Sequence, residues 1–503
     1  MVIGALIGAS AGTAGVSTPL LHDIAELTVT VNDGRMQEAF VCQRELAHFP
    51  AALSIRNVNS TKISSTDGSA SASSTVIKDR PAGLLMTSSQ IDRAKQRIKS
   101  KREPFVSSCT ALISRAAAPI RPFRMHDPIT DMKYGWCPTS PGRVDEIDNT
   151  LREFVNAVLN DMTAASAAAH KWLLTGDLAA ATRALYILER WNTEATIVNM
   201  YDFGVDFTNS TFIGMTADGF CGVRPWNFAL DMGWVAYGLR AASSAYLILR
   251  TNGYPLTEAN HNNIKALIRR LAATTDSSLD AWTESARVRS PQWKWFTRYV
   301  SDNHIAEFLS GLAAAAAALG DDEGNRLIDY VVNGGSFDFG NGNSNSSFVS
   351  LKQYLGNALL YEPNTSFVVY HDYFWKENYR AYHAAVQTAL GTLFRTLDLH
   401  FPREAGLYAK FRTPKGFTAM QAAETLANYL NGDVTGGAAD SVTRHYDSQL
   451  AMELAYSASE TSSSKHLLEK ALYRPLSPGK RPRGQFLKEY DLSTCIIGED
   501  IRE

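Results

Sequence analysis

The stretch Ala164-Ala-Ser-Ala-Ala-Ala-His-Lys-Trp-Leu-Leu-Thr-Gly-Asp-Leu-Ala-Ala-Ala-Thr-Arg-Ala-Leu-Tyr-Ile-Leu-Glu-Arg-Trp191 decides the fold. Alanine-rich apolar spacing from Ala164 to Leu174 reads as a helix. Gly176 stops it, Asp177 supplies a new N-cap, and Leu178 to Trp191 runs back as a second helix, so the whole reads as an αα-hairpin. The same grammar of long helix and Gly, Asn or Asp break returns at Asn227 to Leu249 before Asn252-Gly253 and at His304 to Leu319 before Gly320-Asp321. It appears again at Thr418 to Leu430 before Asn431-Gly432. Six consecutive alanines, Ala313 to Ala318, let neighbouring helices approach closely. No fixed-period repeat is present, which disfavours a regular solenoid. Helical hairpins of unequal length closing on themselves give the expected class: all-α, an α/α toroid forming an incomplete helical barrel, with an irregular N-terminal extension.

Residues 1–80 differ from the rest, with a short alternating run Leu27 to Val31 and a Ser/Thr-rich stretch from Ser60 to Ser74. They are read as an extension or linker, followed by a catalytic domain over 81–475 and a C-terminal tail over 476–503. The helical region opens at Thr87-Ser-Ser-Gln-Ile-Asp-Arg-Ala-Lys-Gln-Arg-Ile98, where hydroxyl caps precede apolar positions at Ile91, Ala94 and Ile98. The insert Asn333 to Ser347, rich in Gly and Asn, is expected to be a surface or cleft-mouth loop.

At 503 residues, 45% hydrophobic and 20% charged, the composition is that of an ordinary globular protein. Lys and Arg total 49 against 51 for Asp and Glu, so no global field draws in nucleic acid or anionic lipid. No apolar run of membrane-spanning length follows the N-terminal segment, and no membrane partner is expected. The five cysteines form no C-x-x-C pair, which disfavours a zinc knuckle or dithiol motif and leaves one or two disulfides open. The small, apolar N-terminus resembles the core of a signal segment but lacks a basic start. Together with sequons at Asn59, Asn209, Asn345 and Asn364, it leads to the expectation of a secreted or periplasmic protein. Nothing in the sequence speaks to oligomeric state.

Chemistry concentrates in Arg298 to Leu309, where Asn303 and His304 stand side by side at a helix start with Ser301 or Asp302 as N-cap. An amide donor beside a titratable ring suits binding a carboxylate and removing a neighbouring proton, and the helix dipole there favours neutral imidazole. A second constellation, Tyr370 to His383, packs Tyr370, His371, Asp372, Tyr373, Glu377, Tyr379, Arg380, Tyr382 and His383 into one segment. Aromatic platforms for sugar rings are read at Tyr134 and Trp136, at Arg224, Trp226 and Asn227, and at Trp293 and Trp295.

These pieces together resemble the alginate-lyase-like family of polysaccharide lyases. The resemblance runs over about residues 81–475. It is carried by Leu84 to Lys95, Leu174 to Asp177 with Ala184 to Trp191, Trp295 before Asp302-Asn303-His304, His371-Asp372, Arg380, Tyr382-His383 and Glu453 to Tyr456. It implies an α/α toroid that cleaves a 1,4-linked uronic-acid polymer, of alginate or glucuronan type, by β-elimination. On that reading Asn303 and Arg380 hold the carboxylate, His304 or a tyrosine removes the C5 proton, and Tyr382 protonates the leaving oxygen. Tyr379, Tyr373 and Tyr370 are the alternatives for the tyrosine. Tyr370, His371, Tyr373, Tyr379 and His383, with Tyr134, Trp136, Arg224, Trp226 and Asn227, would line the groove. The scheme needs no metal and no cofactor, and its partner is an acidic polysaccharide. The family's Asn-Asn-His reads Asp302-Asn303-His304 here, a change bearing on substrate preference more than on reaction type. Two rival readings are a toroid glycoside hydrolase using Asp372 and Glu377 as acid and base, and a non-catalytic carbohydrate-binding protein.

Overall fold

Side chains of Thr87, Asp177, Asp302, Ser350 and Thr418 cap helix starts, and apolar faces hold the helices together. The structure is a computed structural model that describes residues 79–103, 105–120, 144–195, 197, 199, 205–206, 211–212, 232–289, 300–339, 344–347, 349–362, 365–371, 379–432, 447–472 and 495–496. All of them belong to one unit, Ser64–Glu503.

The N-terminal helices are α1 (Ser88–Lys99) and α2 (Phe105–Ser114), followed by a 3-10 turn at Arg115–Ala117. The first hairpin is α3 (Val144–Thr175) with α4 (Leu178–Glu194), and the short strands β1 (Val205–Asp206) and β2 (Thr211–Phe212) follow. Next come α5 (Val235–Thr251), α6 (Glu258–Arg289), α7 (Asn303–Leu319) and α8 (Asp321–Asn333). Strands β3 (Gly335–Asp338) and β4 (Ser344–Ser347) precede α9 (Leu351–Ala358), β5 (Leu359–Tyr361) and β6 (Val368–Tyr370). The chain continues through α10 (Tyr379–His400), α11 (Leu407–Lys410), α12 (Ala419–Asn431), α13 (Asp447–Ala458) and α14 (Ser462–Leu472). No helix among the described residues is long and apolar enough to cross a membrane.

Helices α3, α5, α7, α10 and α13 pack side by side in that order as an inner series. Outside it, α4 covers α3, α6 covers α5 and α7, α8 covers α7, and α12 and α14 cover α10 and α13. This two-layered arrangement of helical hairpins is an α/α toroid. The first hairpin has the expected turn, with Gly176 at φ 76° and the Asp177 side chain accepting from the Ala180 amide. It is tied internally by the indole of Trp191, which donates to Asp161 at 2.9 Å. Helix α3 starts well before the expected Ala164, because Val155, Val158 and Met162 extend its buried stripe backwards at three- and four-residue spacing.

Helix directions follow from the residues in contact. Gly233 faces Phe308, Gly311 faces Ala236, and Arg250 donates to the Ala318 carbonyl at 2.9 Å, so α5 and α7 run parallel. Asn252, just past α5, donates to the Ala82 carbonyl at 2.8 Å, and His400, which ends α10, bonds the Gly83 carbonyl at 3.1 Å. Arg395 bonds the Leu85 carbonyl at 3.2 Å. The buried segment Ala82 to Met86 therefore closes the C-terminal ends of α5 and α10. The first turns of α5, α7 and α10 lie at the opposite end of the ring.

All of Ala313 to Ala318 are buried, and the close approach read from them is present. A Cβ at Gly324 of α8 would stand 2.3 Å from the backbone oxygen of Ala316, which cannot move aside as a side chain can. Gly324→Ala is therefore expected to lower stability by about 1–3 kcal/mol through overpacking, read as a lower denaturant midpoint. An unchanged midpoint would show that the two helices separate at little cost.

One expectation changes. The Gly/Asn-rich insert is no simple loop: β3 and β4 pair antiparallel from Gly335 opposite Ser347 to Asp338 opposite Ser344. The alternation Ser336-Phe337-Asp338-Phe339 drives this, with both phenylalanines buried and their rings 4.8 Å apart. The C-terminal tail is attached to the helical body through a disulfide between Cys109 on α2 and Cys495, both buried. Cys42, Cys137 and Cys221 lie outside the described residues.

Candidate active site

The first turn of α7 builds the site. Asp302, extended at φ −66° and ψ 148° and only 4% exposed, is the N-cap, resolving the choice between Ser301 and Asp302. Its carboxylate accepts from the His304 backbone amide at 3.1 Å and also bonds the ring nitrogen Nδ1 of the same histidine. A carboxylate offers lone pairs only, so Nδ1 carries a hydrogen in this contact, and in the neutral form of such a ring the lone pair is then on Nε2. Trp234 meets the imidazole edge-on at 5.2 Å between centroids, and Trp282 stands tilted at 6.1 Å. The ring keeps 12% of its surface exposed, enough for a reacting atom to reach.

Asn303 is 5% exposed, and its Oδ1 is buried without a hydrogen-bond partner. A buried acceptor without a partner costs folding free energy, which sets this residue apart from an ordinary helix start. The positive end of the α7 dipole lies here as well, favouring an anionic group.

One turn deeper, Glu307 and Arg240 form a buried ion pair at 2.7 Å, with Ser310 Oγ also accepting from the guanidinium at 3.2 Å. The Arg240 guanidinium covers the Tyr237 ring at 4.4 Å, and Tyr237 stacks on Trp234 at 5.3 Å. The pair thus links α5 to α7 beneath the site and supports the Trp234 wall. Sequence reasoning missed Arg240, Glu307, Trp234 and Trp282. A signal for the first two was present: each is the lone charge within an apolar helical stretch.

Across the ring end, α10 begins with Tyr379 and Arg380, whose backbone is helical and whose side chains lie outside the described set. Tyr382 follows, half-buried. Helices α7 and α10 are neighbours with their first turns at the same end, so Asn303 and His304 share that end of the ring with the start of α10.

Two expected ligand contacts are corrected. Tyr370 is 1% exposed and donates its hydroxyl to Gln387, which in turn bonds Tyr408. His383 is 2% exposed, with Nε2 bonded to the Ala422 carbonyl at 2.8 Å and its ring 4.9 Å from that of Tyr370. Both are packing residues of the α10–α12 layer. Burial pushes the Tyr370 phenol well above its usual range, which removes it as a source of a tyrosinate base. His371 is also buried, at 5% exposure. Tyr134, Trp136, Arg224, Trp226, Asn227, Asp372, Tyr373, Glu377, Trp293 and Trp295 lie outside the described residues.

Burial lowers the pKa of His383 to about 4, and that of His170 on α3 likewise to about 4. Both rings are neutral in the folded protein and take up protons near pH 6.5 when unfolded. The unfolded state then binds more protons, so stability is complete above about pH 6.5 and falls as pH drops toward 4, by about 3 kcal/mol per ring. Thermal unfolding followed from pH 7 to 4 is expected to show this loss, and His383→Gln should flatten it. A pH-independent midpoint in that window would contradict it.

A cavity of about 50 Å³ lies between α3, α5 and the 3-10 turn, lined by Leu84, Leu112, Arg115, His170, Arg240 and Ser244 among others. It meets the site at Tyr237 and Arg240.

Neither a known protein family nor a curated protein matches this chain. Among solved structures, the chain is similar to the crystal structure of an alginate lyase from Bacteroides ovatus, at 12% sequence identity and a TM-score of 0.46, over 78% of this chain and 96% of that one.

Proposed function

We propose that this protein is a polysaccharide lyase that cleaves a 1,4-linked uronic-acid polymer, of alginate or glucuronan type, by β-elimination. The observation that carries the reading is His304, held by a carboxylate through Nδ1 beside the buried, incompletely bonded Asn303 at the positive end of α7. The uronate carboxylate binds at that helix end, with the Asn303 amide and Arg380 favouring the enolate-like form that develops as C5 loses its proton. His304 Nε2 or a tyrosine takes the C5 proton, and Tyr382 gives one to O4 as the C4–O4 bond breaks and the C4–C5 double bond forms. Trp234, partly exposed beside the reacting ring, offers an apolar surface of the kind sugar C–H groups pack against. The N-terminal segment, the sequons and the Cys109–Cys495 disulfide together support export to an oxidising compartment.

The test is ultraviolet absorbance during incubation with polymannuronate, polyguluronate, glucuronan and glycosaminoglycans. Growth of the unsaturated-uronate band on one polymer is expected, and its absence on all of them would overturn the proposal.

A further inference from the structure

The geometry points to Asp302 as a positioning residue that fixes His304 in the Nδ1–H tautomer, making Nε2 the atom that removes the C5 proton. This deepens the reading of the site as a lyase and rests on it, because the C5 proton is that reading's substrate atom.

Three observations converge. The Asp302 carboxylate is 4% exposed and bonds the imidazole Nδ1 directly, while the same oxygen caps the His304 backbone amide at 3.1 Å. Backbone and ring of one residue are thus pinned by one acceptor, which sets the direction of Nε2 as well as its lone pair. Trp234, at the N-cap of α5, and Trp282 of α6 also stand against the ring. Next to it, Oδ1 of Asn303 is buried without a hydrogen-bond partner. An asparagine at 302, as in the pattern this segment resembles, presents either an amide oxygen or an amide hydrogen to the ring. A carboxylate presents only acceptors, so the tautomer is fixed. The proton balance is simple: C5–H breaks, Nε2–H forms, and the resulting imidazolium keeps its Nδ1–H on Asp302 until the proton is released.

Asp302→Ser separates positioning from capping, because a serine hydroxyl still caps the backbone amide but reaches no carboxylate to the ring. Ring-nitrogen NMR of histidine-labelled full-length protein, with His304 assigned by its loss in His304→Gln, reads the tautomer without any substrate. The expected result is a single Nδ1–H form in the wild type and a mixture with Nε2–H in Asp302→Ser. On the polymer that is cleaved, kcat should fall by about 10- to 100-fold with KM unchanged, and Asp302→Glu should recover part of it. An Nε2–H tautomer in the wild type, or an unchanged kcat in Asp302→Ser, would overturn the inference and leave Asp302 as a cap alone. Failure of every polymer to react would instead overturn the lyase reading while the NMR result stands.

Discussion

His304→Gln is expected to lower the elimination rate by about 10²- to 10⁴-fold, the range for loss of a positioned general base, while leaving the unfolding midpoint near that of the wild type. The side chain keeps a small exposed face, and its ring contacts, with Trp234 and Trp282, are edge or tilted contacts that a glutamine partly fills. The helix start survives because the cap is the Asp302 carboxylate on the residue 304 backbone amide, which the substitution retains. Turnover on a reactive polyuronate, measured alongside a denaturant titration, separates the two effects. Loss of activity with loss of fold would make His304 a packing residue, and retained activity would move the base to a tyrosine.

The largest effect on stability is expected from Glu307→Ala, at about 3–5 kcal/mol, the cost of leaving a buried charge without its partner. Arg240 is 1% exposed, and the substitution removes the carboxylate that stands 2.7 Å from its guanidinium. The same argument predicts that Arg240→Met combined with Glu307→Leu recovers most of the loss, because burying two apolar chains of similar volume costs no desolvation. A double variant as unstable as Glu307→Ala would contradict that reasoning. Glu307 lies one turn below Asn303, so Glu307→Ala is also expected to weaken activity through the Trp234 wall.

Much of the helical architecture was legible because its signals are local. Asp302 and Gly320 bound α7, Asp177 and Gly176 define the first turn, and Thr87 with Gln90 and Thr418 with Gln421 form capping boxes where the sequence places hydroxyl starts. The start of α3 was misjudged because the alanine run drew attention from the sparser Val155, Val158 and Met162 stripe. The strand pair β3–β4 was hidden by its Gly/Asn composition, although Phe337 and Phe339 alternate as a half-buried strand requires.

The site divides in the same way. Asn303 and His304 were readable as neighbours in sequence at a cap. The density of titratable groups from Tyr370 to His383 was misleading for His383, since successive residues of α10 face different ways, and for Tyr370, which ends β6 and packs its hydroxyl onto Gln387. Tyr382 stays half-buried, whereas His383 and Gln387, one turn apart, face the packed layer. Trp234, Trp282 and Arg240 reach the α7 face through packing of distant helices, which no local spacing encodes. The pairing of Cys109 with Cys495 is likewise set by the fold alone.

The most direct test of the central claim is cleavage of the reactive polyuronate in heavy-oxygen water, with the fragments read by mass spectrometry. Elimination breaks the C4–O4 bond without water, so the account predicts unsaturated ends and no heavy oxygen in the new fragments. Incorporation of heavy oxygen at the new chain end, with no double bond, would contradict it and turn attention to Asp372 and Glu377 as a hydrolytic pair.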